Sequence, residues 1–213
     1  MKLKRIMLCI FSVLPLAVST VALFFLPDRI PAHYGQSFTV DRYGSKYEIL
    51  IFPVIIIVVG MIILLTAKLI NDEVNKKLTL NIGLALILFF NALDYFILFI
   101  QARALTDLSS IGIERFLLLA FGILFIYMGN LMPMSKRNSL VGLRTKWSNK
   151  NDYVWKKCQI FGGVSLIIIG IVLSISAFVY PSIILMLILL MIFVVASVIY
   201  SYFAAKKDTH SAD

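Results

Sequence analysis

Six stretches of this chain, near residues 6–26, 48–68, 78–101, 113–133, 158–179 and 183–204, are predominantly apolar over 21 residues or more. An α-helix rises about 1.5 Å per residue, so each is long enough to cross roughly 30 Å of hydrocarbon. Lipid offers no partner to an unpaired backbone N–H or C=O, which leaves the helix as the form such runs take. Only 15% of the residues are charged and 61% are hydrophobic. A water-soluble fold of this size has too little polar surface to cover that much apolar material. The sequence therefore predicts an all-α integral membrane protein: a six-transmembrane-helix bundle, one membrane domain over residues 1–213, without internal repeats.

Charge sets the expected orientation. Fifteen of the twenty Lys and Arg residues fall in the N-terminal segment, the second and fourth connections and the C-terminal tail. Five (Arg29, Arg42, Lys46, Arg103 and Arg115) fall in the other three connections. Positive charge marks the cytosolic face, so both termini are expected in the cytosol. The net charge of +9 is then a topology signal, and no direct nucleic-acid partner is expected. Residues 27–47 become an ordered external loop, and residues 134–157 a basic cytosolic loop. The first run is longer than a usual signal-peptide core and has no small-x-small cleavage site, so it reads as a retained anchor. Cys9 and Cys158 lie near cytosolic helix ends, where a structural disulfide is not expected.

The third run carries a polar stripe. Asn91, Asp94 and Gln101 fall within about 80° of one another at 100° per residue. A carboxylate inside a span is costly and must face protein or water. The stripe reads either as a buried polar clasp between helices or as a ligand or proton site. A cationic partner for Asp94 would have to reach in from Arg103, Arg115 or Lys46. Gly162, Gly163 and Gly170 in the fifth run read as a close-packing face.

Two polar segments hold the rest of the informative chemistry. In the external loop, PDRIPAHYGQSFTVDRYGSKY, the prolines and glycines predict ordered turns rather than long strands. His33 and Asp41 there suit a His–carboxylate pair; one His and one Asp are too few for zinc. Loop architecture and contact with a peptide both fit them. Lys46 and Glu48 are placed to anchor the second helix. In the cytosolic segment, Asn130 and Pro133 suit a helix end and Gly142 a turn. Ser148 suits the cap of a short helix beginning at Asn149, with Asp152 in its first turn. Trp147 and Trp155 suit the headgroup region, and Arg144 can fork onto a phosphate or several carbonyls. This segment reads either as a folded loop held to anionic membrane lipid or as a docking surface for a cytosolic protein. There is no Gly-rich phosphate loop, no Ser–His–Asp set and no His-x-x-x-His helix, and His33 and His210 are expected on opposite sides of the membrane. No enzyme, cofactor or metal site is expected.

These two segments together resemble the SdpI family, membrane proteins that confer immunity to a sporulation-delaying peptide toxin. The external block is similar through Pro31-Ala32-His33, Gly35, Asp41 and Ser45-Lys46. The cytosolic block is similar through Gly129-Asn130-Leu131-Met132-Pro133, Asn138, Gly142-Leu143-Arg144-Thr145, Trp147 and Trp155. The chain departs from the family pattern at Lys146, where Pro is usual, and at Lys157-Cys158, where Thr-His is common. The resemblance implies a plasma-membrane immunity protein that binds and neutralises a secreted membrane-active peptide. It assigns Pro31, His33, Asp41 and Lys46 to the toxin-facing side. It assigns Asn130, Pro133, Asn138, Gly142, Arg144, Thr145, Trp147 and Trp155 to the cytosolic signature. It further implies signalling by holding a small winged-helix repressor at the membrane. The alternative is a small transporter or channel that uses the stripe around Asp94.

Overall fold

A computed structural model describes residues 1–35, 37–137, 140 and 142–210. Its elements in chain order are α1 (Lys2–Ala22), β1 (Arg29–Tyr34), β2 (Val40–Ser45), α2 (Ile51–Leu69), α3 (Glu73–Ala102), α4 (Ile113–Leu131), α5 (Asp152–Val179) and α6 (Ile183–His210). Short 3₁₀ turns precede α2 and α4 and follow α4. All six helices are long and apolar enough to cross a membrane. The chain forms two compact units: Met1–Leu65 with Gly83–Ile113, and Thr66–Ile82 with Glu114–Asp213.

In the first unit α1 contains Pro15. Proline has no N–H, so the carbonyl of Phe11, four residues earlier, loses its helical donor. That defect is repaired from outside the helix, as described below. Leu8, Ser12, Pro15 and Ser19 are the buried residues of α1, spaced 4, 3 and 4 along one face. Ser12 sits where Gly60 of α2 has no side chain: a Cβ on Gly60 would overlap the Ser12 hydroxyl. Near the end of α1, Leu26, Ile30 and Ile49 close a small apolar core with Leu23, Leu50 and Leu98 around it.

The segment between α1 and α2 forms a two-stranded antiparallel hairpin, β1 with β2. The all-α expectation omits this sheet, and the turns expected in the segment are replaced by two six-residue strands. Their register explains the omission. Pro31 faces Tyr43, His33 faces Arg42 and Tyr34 faces Val40, with irregularities on both sides of His33. Ala32 and Asp41 thus have no opposite number, and each is a bulge that breaks the two-residue alternation a strand displays in sequence.

In the second unit α4 and α5 approach at paired glycines. A Cβ on Gly163 would lie 2.6 Å from the Gly129 carbonyl oxygen, and a Cβ on Gly170 would lie 2.6 Å from that of Gly122. Both pairs are seven residues apart, two turns of helix, so the backbones touch twice along one seam. Leu118, Ile169, Leu173, Ala177 and Met186 fill the core among α4, α5 and α6.

Helix α5 begins at Asp152, capped by Asn151, whose side chain accepts from Val154 N at 2.9 Å. The sequence predicts a fifth span from about residue 158, preceded by a separate short helix from Asn149 under a Ser148 cap. Ser148 is instead buried inside the preceding loop.

Candidate functional site

The hairpin is tied down at several points within its own unit. Gln101 Nε2 donates to the Pro31 carbonyl at 2.7 Å. Tyr34 Oη donates to the Leu105 carbonyl at 2.8 Å. Burial, and secondarily the neighbouring Tyr43, push the Tyr34 hydroxyl up to about 12, so it remains a donor across the physiological range. Val40 N donates to Thr106 O and Leu108 N to Phe38 O, each at 3.0 Å, which lays the hairpin tip on the 103–108 loop. At the other end Lys46 pairs with Asp28 at 3.0 Å. Glu48 Oε1 accepts from Ser45 N at 3.2 Å, while Arg42 holds both its carboxylate oxygens at 3.3 and 2.9 Å. Arg42 is correspondingly stabilised in its charged form, first by that hydrogen bond and then by the Glu48 charge.

On this frame His33 Nδ1 lies 2.6 Å from Asp41 Oδ1, with side chains 63% and 51% exposed. The bulges bring the two together, because Asp41 is the extra residue beside His33 and turns onto its face. Around the hairpin, Phe24, Phe25, Tyr43 and Tyr47 are also exposed. The surface combines a polar pair, a guanidinium–carboxylate pair and aromatic rings.

The polar stripe of α3 divides by role. Asn91 Nδ2 donates to Phe11 O at 2.9 Å, the carbonyl that Pro15 leaves unpaired, and to Ile87 O at 2.6 Å. Asn91 is therefore a clasp between α3 and α1, one of the two roles the sequence left open for the stripe. Gln101 holds the hairpin. Asp94, 1% exposed, meets the Ser19 hydroxyl at 3.5 Å and has no ion pair among the described residues. Lys46, one of its three candidate partners, is engaged by Asp28 instead. Buried Asn91 Oδ1 and Gln101 Oε1 have no hydrogen-bond partner among the described residues.

The basic loop of the second unit is held by side chains that clamp backbone. Buried Asn75 donates its amide to Lys136 O and accepts from Lys136 N, both at 3.0 Å. Gln159, fully buried, accepts from Leu143 N and donates to Leu143 O, again both at 3.0 Å. Each clamp mimics the two-bond exchange of an antiparallel ladder. Ser148 Oγ accepts from Thr145 N at 2.8 Å, Ser148 N donates to Thr145 Oγ1 at 2.9 Å, and Thr145 Oγ1 bonds Ser201 Oγ on α6 at 2.8 Å. Trp155 is 1% exposed and donates from Nε1 to Ser135 O at 2.9 Å. It is a core residue, not a headgroup anchor. Gly142 holds φ +106, and a Cβ there would press on Gln159 and Trp155.

Other signature residues lie at the surface. Arg144, Lys146 and Trp147 are exposed, and Trp147 meets Tyr202 edge-on at 5.5 Å. Asn130 is exposed in the last turn of α4, and the Pro133 carbonyl accepts from Lys156 Nζ at 2.6 Å. Asn138 lies outside the described residues. Sequence reasoning missed Asn75, Gln159 and Pro15, and gave Ser148 a helix cap where it ties Thr145 and Leu143 within the loop. A proline inside an apolar run was the available signal for Pro15, since it announces a carbonyl that some other segment must satisfy.

Comparison with known proteins follows the two blocks. Residues 134–201 match the SdpI/YfhL protein family. Residues 10–57, which include the hairpin, match a domain of unknown function, DUF1648. The chain is 28% identical over 211 residues to the immunity protein SdpI of Bacillus subtilis (strain 168), covering 96% of this chain and 97% of that one. It is also 37% identical over 51 residues to an uncharacterized protein of Archaeoglobus fulgidus, covering 24% of this chain and 28% of that one. No solved structure matches. The family match takes in the Gln159–Leu143 clamp, α5 and most of α6, and the similarity to the immunity protein extends over nearly the whole chain.

Proposed function

We propose that this protein is a multi-pass immunity protein of the bacterial plasma membrane, with both termini in the cytosol, that binds and neutralises a secreted membrane-active peptide. The observation that carries this reading is the relationship to an immunity protein across 96% of the chain. The hairpin supports it by presenting His33–Asp41 and exposed aromatic rings on a braced scaffold. The mechanism is stoichiometric capture: a peptide held on the hairpin is not free to permeabilise the bilayer. Its chemistry is binding, with no bond made or broken.

The basic loop gives the same protein a second face. Arg144, Lys146 and Trp147 form the surface that would recruit a cytosolic winged-helix repressor, while Trp155, Thr145 and Gly142 build the frame beneath it. Signalling then requires the peptide-bound conformation to present this surface better than the free one. Expression in a toxin-sensitive cell tests immunity. Survival should rise with the native chain and fall with His33→Ala or Asp41→Ala at equal membrane abundance. Killing that is the same with and without the native chain would remove the reading.

One observation favours a second reading, a small transporter or channel. Among the described residues Asp94 has no cation beside it, and two acceptors on its stripe are unmet. Liposome flux abolished by Asp94→Asn would establish it; peptide binding without flux would leave capture in place.

A further inference from the structure

Where α5 and α6 meet the basic loop, the two helices leave a cleft of about 340 Å³. Its walls include Tyr153 and Lys157 from α5 and Tyr200, Phe203, Lys207 and Asp208 from α6. The rings are fixed: Tyr200 stacks on Phe161 with centroids 4.2 Å apart and planes 5° from parallel. Lys157 Nζ lies 4.3 Å from the centre of the Tyr153 ring, which positions its ammonium at the wall. Lys207 is exposed and forms no ion pair with any described residue. The one carboxylate of the cleft is already engaged. Asp208 accepts from Asn151 Nδ2 at 2.7 Å and pairs with Lys150 at 3.2 Å. Two ammonium groups therefore line a cleft whose single carboxylate is held first by Asn151 and Lys150 and acts on Lys157 only through its charge.

The shared chemistry that fits is a phosphate group, for which lysine is a compact point-charge partner. The surroundings select its source. Tyr153, Phe203 and the two lysines lie at the ends of apolar runs, where headgroups sit. An apolar groove of Met191, Ile192, Val195, Ala196 and Ile199 lies further along α6, with Ile199 one turn from Phe203. Residues 191 to 199 span about 12 Å of helix, room for much of an acyl chain. A free phosphate has no use for such a groove, and a zwitterionic headgroup would bring its own cation against Lys157 and Lys207. We infer that this cleft holds the headgroup of an acidic phospholipid, with a chain lying along α6. The inference rests on the membrane placement proposed above. The bound lipid would sit beside the Lys150–Asp208 contact that fastens the basic loop to α6, and so would brace that loop.

Native mass spectrometry of the purified full chain tests this with three probes: phosphatidylglycerol, phosphatidylcholine and inorganic phosphate. The native chain should retain one phosphatidylglycerol in preference to phosphatidylcholine by about tenfold or more. Lys157→Gln with Lys207→Gln should lose that preference, and Lys157→Arg with Lys207→Arg should keep it. Equal retention of the two lipids by the native chain would overturn the inference, as would an unchanged preference in the glutamine pair. Inorganic phosphate that binds alone and excludes phosphatidylglycerol would assign the cleft to a free anion and overturn it too. Should the glutamine pair fail to fold, the native chain and the arginine pair decide. Carbonate washing of cell membranes separates the two failures: release of the protein would sink the membrane placement, whereas retention without lipid preference would sink this inference alone.

Discussion

The side-chain amide of Asn91 on α3 donates at 2.9 Å to the carbonyl of Phe11 on α1, the acceptor whose helical donor Pro15 removes. One residue creates a polar defect inside an apolar span, and another, 76 positions later in the sequence, repairs it. In lipid no water stands ready to do so. Asn91→Leu should therefore destabilise the first unit by about 1–2 kcal/mol. The cost should shrink when Pro15→Ala is added, because an alanine at that position restores the helical N–H. A double-mutant cycle of unfolding in mild detergent measures the coupling, and additive costs would contradict the clasp.

The loop clamps make a second prediction. Gly142 holds a backbone angle that side-chain-bearing residues rarely adopt, and a Cβ there presses on Gln159 and Trp155. Gly142→Ala and Gln159→Leu should both loosen the Leu143 backbone. Trypsin should then cut at Arg144 and Lys146 about tenfold faster than in the native chain, since cleavage tracks the population of the open loop. Unchanged cleavage would mean that the clamps do not hold the loop.

Gly163→Val should be among the most damaging single changes in the second unit. The smallest side chain already lies 2.6 Å from the Gly129 carbonyl, so α4 and α5 must separate to admit one. Overpacking of this kind costs about 1–3 kcal/mol, with the seam at Gly122 and Gly170 strained in turn. Thermal unfolding reads it. A variant as stable as the native chain would show that the helices are free to move apart.

Acid should weaken one fastening selectively. Lys136, by hydrogen bond first, together with the Asn75 backbone amide, holds the Asp72 carboxyl below its ordinary value of 3.8. A depressed carboxylate contributes its stabilisation in full above that value and loses it as pH falls through the depressed one. Hydrogen exchange around residues 72–76 and 136 should accordingly rise below pH 3.8, and Asp72→Asn should show the raised exchange already at neutral pH. Equal protection of the two proteins at neutral pH would refute the fastening.

The six spans were legible because apolar length is a property of contiguous residues. The hairpin was not. Its bulges at Ala32 and Asp41 erase alternation, and β2 carries Asp, Arg, Gly and Ser in place of a β-branched run. The start of α5 was hidden by polar Asp152, Lys156 and Lys157, although Val154, Trp155 and Cys158 are buried along one helical face. The His33–Asp41 pair could be read because both residues lie in one short loop. The double bonds of Asn75 to Lys136 and of Gln159 to Leu143 could not, because amide-to-backbone recognition leaves no mark on the partner's identity. Trp155 misled for a similar reason: an indole near a run end suits headgroups and loop cores alike.

Capture of a secreted peptide on the hairpin is the claim from which the rest follows. Titrating a fluorescent toxin peptide into nanodiscs that hold the purified chain tests it most directly. The account predicts saturable one-to-one binding that weakens about tenfold or more with His33→Ala and is indifferent to Arg144→Ala. Absence of saturable binding, or equal loss from both substitutions, would contradict it.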